Sequence, residues 1–135
     1  MTVRILVVDD ESDIEMLFKQ QFRRELRDGR FVLDFAASGD EALAKMKATG
    51  VGSLILLVSD INMPGMSGLD LLVRIKEERP DLPVLMITAY GDASTRKVAL
   101  ERGADGLLTK PLDFAALRGE IQARVAGGAA GAASS

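Results

Sequence analysis

Asp60 stands just past a run of five apolar residues, Leu54-Ile55-Leu56-Leu57-Val58, and ahead of a loop carrying one proline and two glycines over residues 61–68. Asp9, Asp10 and Glu11 follow another run, Val3-Arg4-Ile5-Leu6-Val7-Val8. Thr88 closes Leu82-Pro83-Val84-Leu85-Met86-Ile87, and Lys110 follows Ala104-Asp105-Gly106-Leu107-Leu108-Thr109. If these runs are parallel strands, their C-terminal tips share one edge, and all six polar groups meet in one cleft. Three or more carboxylates in a cleft repel one another unless a cation sits among them. The chain has no histidine and no cysteine, so any metal must be held by oxygen, which points to magnesium or calcium rather than zinc or copper, and a Mg2+ site, with Mn2+ able to take its place, is the economical resolution. A carboxylate nucleophile, a divalent cation, a lysine and a hydroxyl are the parts that phosphoryl transfer needs. Each residue alone has an ordinary explanation: an acidic loop, a capping aspartate, a β-forming threonine, a solvated lysine. Their joint occurrence at successive strand ends is hard to obtain by chance.

The elements that must position these groups follow from periodicity. The run before Asp60 is short, apolar and unbroken, as in a strand buried on both faces. Ser12 and Glu15 fit a capping box, and one helix follows with Ile14, Leu17, Phe18, Phe22 and Leu26 on its inner face and Gly29 as its stop. Residues 31–36 alternate enough for a second strand, nearer an edge. Ser38 and Glu41 form a second box that opens a helix carrying Ala42, Leu43 and Met46 and ending near Gly50. Ser67 opens a third helix with Leu69, Leu72 and Ile75 inward, and Pro80 lies at or past its end. A fourth helix runs from Gly91-Asp92 to about Arg102, with a poor apolar stripe of Val98 and Ala99, which marks it as weakly anchored. Asp113 caps a last helix with Phe114, Leu117, Ile121 and Val125 inward. Five strands alternating with five helices imply an α/β doubly wound parallel sheet with helices on both faces. Residues 1–126 then form one domain, and residues 127–135, all Gly, Ala and Ser, read as a flexible tail or linker.

Composition narrows the function. A length of 135 residues suits a single domain with a real core. The net charge of −3 argues against direct nucleic-acid binding. The absence of histidine removes serine-type triads and histidine acid–base catalysis. The first residues are too short an apolar run for a signal peptide, and nothing approaches a membrane span, so a cytoplasmic location is expected. Neither a dinucleotide-binding glycine pattern nor a phosphate-binding P-loop pattern is present.

Four separated stretches carry a resemblance: residues 5–11, residues 59–68, Ile87-Thr88-Ala89, and residues 103–111 ending in Lys110-Pro111. Over residues 3–125 the chain resembles the receiver domain of two-component response regulators, of which the chemotaxis receiver is the simplest member. The resemblance implies a flavodoxin-like (βα)5 fold and a phosphorylation switch. It implies that Asp60 accepts a phosphoryl group from a sensor histidine kinase or a histidine phosphotransferase. Asp10 would bind Mg2+ directly, Asp9 through water, and Asn62 through its backbone carbonyl. Lys110 would contact the phosphoryl oxygens, with Pro111 following a cis peptide, and the Thr88 hydroxyl would swing toward the phosphate. Ala89, being small, would leave the nucleophile open to its donor. The output would pass through the face built by the fourth helix, fifth strand and last helix, to an effector domain or protein, from a monomer or a phosphorylation-dependent dimer.

The chain departs from the family at two places. Leu107 occupies the position, three before the lysine, where an aromatic commonly follows the threonine inward. The first helix and its connection to the second strand are longer and more charged than in the simplest receivers. Tyr90, two residues after Thr88, either lies over the site and shields it or is a solvent-facing loop aromatic. The rival reading is a Mg2+-dependent phosphohydrolase of the haloacid-dehalogenase type. That class carries its nucleophile on the first strand and usually a cap, whereas here the best nucleophile follows the third strand and no insertion could build a cap. A receiver that binds partners without phosphorylation is the third reading, and the full set Asp9, Asp10, Asp60, Thr88 and Lys110 argues against it.

Overall fold

The computed structural model describes residues 3–49, 53–89 and 93–134, with side chains described as far as Val125. Five strands, β1 (Arg4–Val8), β2 (Val32–Ala36), β3 (Leu54–Asp60), β4 (Val84–Thr88) and β5 (Gly106–Thr109), pair in parallel in the order β2-β1-β3-β4-β5. This is the chemotaxis-receiver type of flavodoxin-like α/β fold. The helices are α1 (Asp13–Gln21), α2 (Arg23–Arg27), α3 (Gly39–Ala48), α4 (Gly68–Glu78), α5 (Ala93–Glu101) and α6 (Phe114–Ser134).

Alternation along the strands feeds two cores. Leu6, Val8, Leu57, Val84 and Met86 face one side, against Leu43 and Met46 of α3, Leu71, Leu72 and Ile75 of α4, and Ala99 of α5. Ile5, Val7, Val58, Leu85 and Ile87 face the other, against Phe18 and Phe22 and against Leu117 and Ile121 of α6. The register between β1 and β3 shifts, so that Arg4 pairs with Leu54 and Ile5 with Leu56. That bulge puts Ile55 and Leu56 on the same face, a step that simple alternation does not anticipate.

The single first helix expected from sequence is broken into α1 and α2 at Phe22, whose backbone leaves the helical region at φ −106, ψ 22. The hydrogen-bond ladder persists across the break, with Phe22 N–H on the Phe18 carbonyl and Leu26 N–H on the Phe22 carbonyl. The cause is packing: Phe22 is fully buried among Phe18, Phe31 and Phe114, and the chain bends to seat it. The capping box at Ser12 is not formed. Its backbone is already α-helical (φ −65, ψ −25), so its side chain makes no cap, which needs an extended residue. Ser38 and Ser67 are extended and do cap, accepting from Glu41 N–H and Asp70 N–H at 3.2 Å each. Glu41 reaches Ala37 N–H, one residue before the cap. Asp113 accepts from Ala115 and Ala116 N–H. The backbone of α6 continues to Ser134 through the stretch expected as a linker. The expected start of the fourth helix at Gly91-Asp92 lies outside the described residues, as does Tyr90.

Candidate functional site

Each site residue is fixed by the strand that carries it. Asp9 leaves β1 with its N–H on the Ala36 carbonyl. Asp60 is the last residue of β3, paired with Ile87, and the next N–H, that of Ile61, bonds the Ile87 carbonyl. Thr88 ends β4, and its carbonyl accepts from Lys110 N–H at 3.0 Å. The loops leaving β3 and β5 are thus both tied to β4. The Lys110–Pro111 peptide is cis.

Gly68 sets how close α4 comes to the site. A Cβ there would stand 2.2 Å from the Asp60 carbonyl oxygen and 2.6 Å from Ile61 Cα, so only glycine fits. Gly68 N–H in turn bonds the Ile61 carbonyl at 2.8 Å. Neither periodicity nor motif spacing points to this role; a glycine directly after a helix cap was its one visible trace.

Asp9, Asp10 and Asp60 come together, with one carboxylate oxygen of each within 4.8 Å of the others. Asp60 and Asp9 are buried, and Asp10 is exposed. Asp60 Oδ2 accepts from Lys110 Nζ at 2.7 Å and Oδ1 from Asn62 N–H at 3.1 Å. Asp9 Oδ1 accepts from Glu11 N–H at 2.9 Å. Glu11 also stands 3.9 Å from Lys110 Nζ. Burial raises the Asp9 carboxyl above its ordinary value and the charge of Asp60 adds to this, against the Glu11 hydrogen bond. Burial works to lower the Lys110 ammonium, but the hydrogen bond and charge of Asp60, then Asp9 and Glu11, win and hold it higher.

Two buried oxygens have no hydrogen-bond partner among the described residues: Asp9 Oδ2 and Thr88 Oγ1. An unsatisfied buried carboxylate oxygen beside two more carboxylates, in a set made only of oxygens, fits a hard divalent cation. Ala89 is exposed directly after Thr88. Leu107, paired with Met86, packs partly buried against the core on the α3–α4–α5 side.

The model of the response regulator receiver domain family matches residues 5–122, and the chain belongs to that family. Among curated proteins it is 35% identical over 121 residues to the response regulator RppA of Synechocystis, covering 90% of this chain and 50% of that one. It is 38% identical over 108 residues to the transcriptional regulatory protein ResD of Bacillus subtilis, covering 80% of this chain and 42% of ResD. The chain thus spans about half the length of these relatives or less. Among solved structures, a response regulator receiver domain protein from Clostridium thermocellum shares 31% identity with a TM-score of 0.79, over 91% of this chain and 94% of that one. A CheY-like receiver domain protein from Methanospirillum hungatei shares 29% identity with a TM-score of 0.81, over 95% and 97%. The chain is therefore a receiver domain of two-component signal transduction. Receiver domains are generally signalling switches rather than enzymes and bind Mg2+ at the acidic pocket, and the Asp9, Asp10 and Asp60 cluster is consistent with a phospho-acceptor site. No helix among the described residues is long and apolar enough to cross a membrane.

Proposed function

We propose that Asp60 is the phosphoacceptor of a Mg2+-dependent switch. The observation that carries this is the buried Asp60 carboxylate held between Lys110 Nζ and Asn62 N–H beside two further carboxylates. An Asp60 oxygen attacks the phosphorus of a phosphohistidine on a kinase or phosphotransferase. The new P–O bond forms as the P–N bond breaks, and the leaving imidazole nitrogen takes up a proton. Asp9, Asp10, Asp60 and the Asn62 carbonyl would hold Mg2+, which supplies neutralisation of phosphoryl charge. Lys110 holds the phosphoryl oxygens, and Thr88, its hydroxyl buried and without a hydrogen-bond partner among the described residues, donates to one of them.

The acyl phosphate adds about −1.5 to −2 charges at the end of the sheet. The response passes through Thr88 and Lys110 to α5, β5 and α6. Support for α5 as the moving part is its thin anchorage: Ala99 is its one buried residue, and Leu100 is exposed. With Leu107 in place of an aromatic, that shift is carried by the loop after Thr88 rather than by a ring rotating inward. The domain ends near residue 126, and the output is a changed association, with a partner protein, an effector domain or a second copy.

Intact mass after incubation with Mg2+ and acetyl phosphate tests this reading. The wild type gains one phosphoryl group, and Asp60→Asn and chelator-treated protein gain none. A gain that survives Asp60→Asn would overturn the assignment.

A further inference from the structure

The sharpest concentration of positive charge lies away from Asp60. Where the chain bends at Phe22, a pocket of about 680 Å³ opens, lined by Arg23, Arg24, Arg30 and Arg118 together with Glu25 and Asp28. Val32, just past this segment, pairs with Arg4, the first residue of β1, which places the bend toward the sheet edge opposite Asp60. The two acids are already engaged. Glu25 Oε2 accepts from Arg118 Nε at 2.7 Å, and Asp28 stands 3.6 Å from Arg27. Arg118 is committed further, to the Gln21 carbonyl and to the face of Phe22, 5.0 Å from the ring centre. Arg23, Arg24 and Arg30 are exposed, and among the described residues their guanidinium groups donate no hydrogen bond. A chain of net charge −3 therefore gathers around one concavity three guanidinium groups that make no hydrogen bond or salt bridge among the described residues, Arg30 acting on Glu25 only through its charge, with no lysine among the lining residues. Guanidinium forks match phosphate oxygens bidentately and are weakly hydrated, so such a cluster suits phosphoryl groups better than scattered ammonium groups would.

We propose that this pocket binds a small anion bearing two or more phosphoryl groups, gripped by Arg23, Arg24 and Arg30. The volume exceeds what one phosphate fills and lies in the range of small-molecule sites. The amides of Gln20, Gln21 and Gln122 also line it and can hydrogen-bond the body of such a ligand. The pocket is separate from the acidic site, so the proposal stands independently of the phosphoacceptor reading.

Calorimetric titration with inorganic pyrophosphate, in Mg2+-free buffer with chelator, tests it. Wild type and Asp60→Asn bind one equivalent with equal affinity, and binding weakens as salt rises. The Arg23→Gln/Arg24→Gln variant binds about tenfold or more weakly, from the loss of charge-assisted hydrogen bonds. Both arginines are exposed, and an unchanged unfolding midpoint confirms the variant's fold; Arg30→Gln serves as the second variant. No binding by wild type, or binding that survives both arginine variants, overturns the proposal. Preference for a short polyglutamate peptide over pyrophosphate overturns it as well and assigns the pocket to acidic protein segments.

Discussion

Lys110 and Asp60 form a pair anchored at one end: the Asp60 side chain is 2% exposed and that of Lys110 is 39%. A buried carboxylate with two neighbours of like charge depends on that ammonium. Lys110→Ala should therefore destabilise the Mg2+-free protein by about 1–3 kcal/mol, read by denaturant unfolding. Mg2+ should recover part of the loss, because a second cation then serves the same carboxylates. An unchanged midpoint without Mg2+ would show that the carboxylates do not lean on Lys110. Gly68 acts through shape. Gly68→Ala puts a methyl group against the Asp60 carbonyl and should cost about 1–3 kcal/mol, and it should slow phosphorylation by acetyl phosphate because β3 and α4 must part beside the nucleophile. Full stability and rate in that variant would mean that the loop relaxes freely.

Among the elements, α1, α2 and α6 are joined by two different means. Phe114 meets Phe18 and Phe22 edge to face, with Phe18 and Phe114 centroids 5.3 Å apart. Beside them the Glu25–Arg118 bond crosses from α2 to α6, with the Glu25 side chain 12% exposed. Burial alone would raise the Glu25 carboxyl, but the Arg118 hydrogen bond and charge, its backbone bond and Arg30 hold it below its ordinary value of 4.5. A depressed carboxyl contributes stability that is complete above the unfolded value and is lost as pH falls through the folded one. Glu25→Gln should cost about 1 kcal/mol at neutral pH and nothing at the acid end. The stability difference between wild type and variant should close as pH falls below 4.5, followed by urea unfolding across pH. A difference that stays constant with pH would assign Glu25 a packing role instead.

For the molecule as a whole, the sheet is the rigid part and α5 the loose one. Strands β1, β3 and β4 are buried almost throughout and sandwiched between two cores, while α5 buries one alanine. A charge added at the strand ends thus meets a framework that yields at one helix. The last described core side chains are Ile121 and Val125. Deleting residues 127–135 should leave the thermal midpoint within the range of a neutral surface change, about 0.5 kcal/mol. A larger loss would extend the domain beyond residue 126.

Strand ends, most of the helix faces and the acidic cluster were legible in the sequence because each rests on local pattern; Leu17, expected inward, is 38% exposed. Five apolar runs, four of them closing on a polar group, imply a parallel sheet whose reactive residues share an edge, and Asp9, Asp10, Asp60, Thr88 and Lys110 follow from it. Other features depend on neighbours distant in the chain. Phe22 bends its helix because Phe31 and Phe114 must pack around it, which helical spacing alone does not reveal. Ser12 fails as a cap although its spacing is right, because its own backbone is already α-helical. The bulge at Ile55 and the close approach at Gly68 arise where one strand must fit another strand or a helix. The arginine pocket exists only because α6 brings Arg118 against the charged segment after α1. Local periodicity determined which elements form and which residues end them; tertiary packing decided how they bend and meet, because steric fit and charge pairing act between residues that the sequence holds far apart.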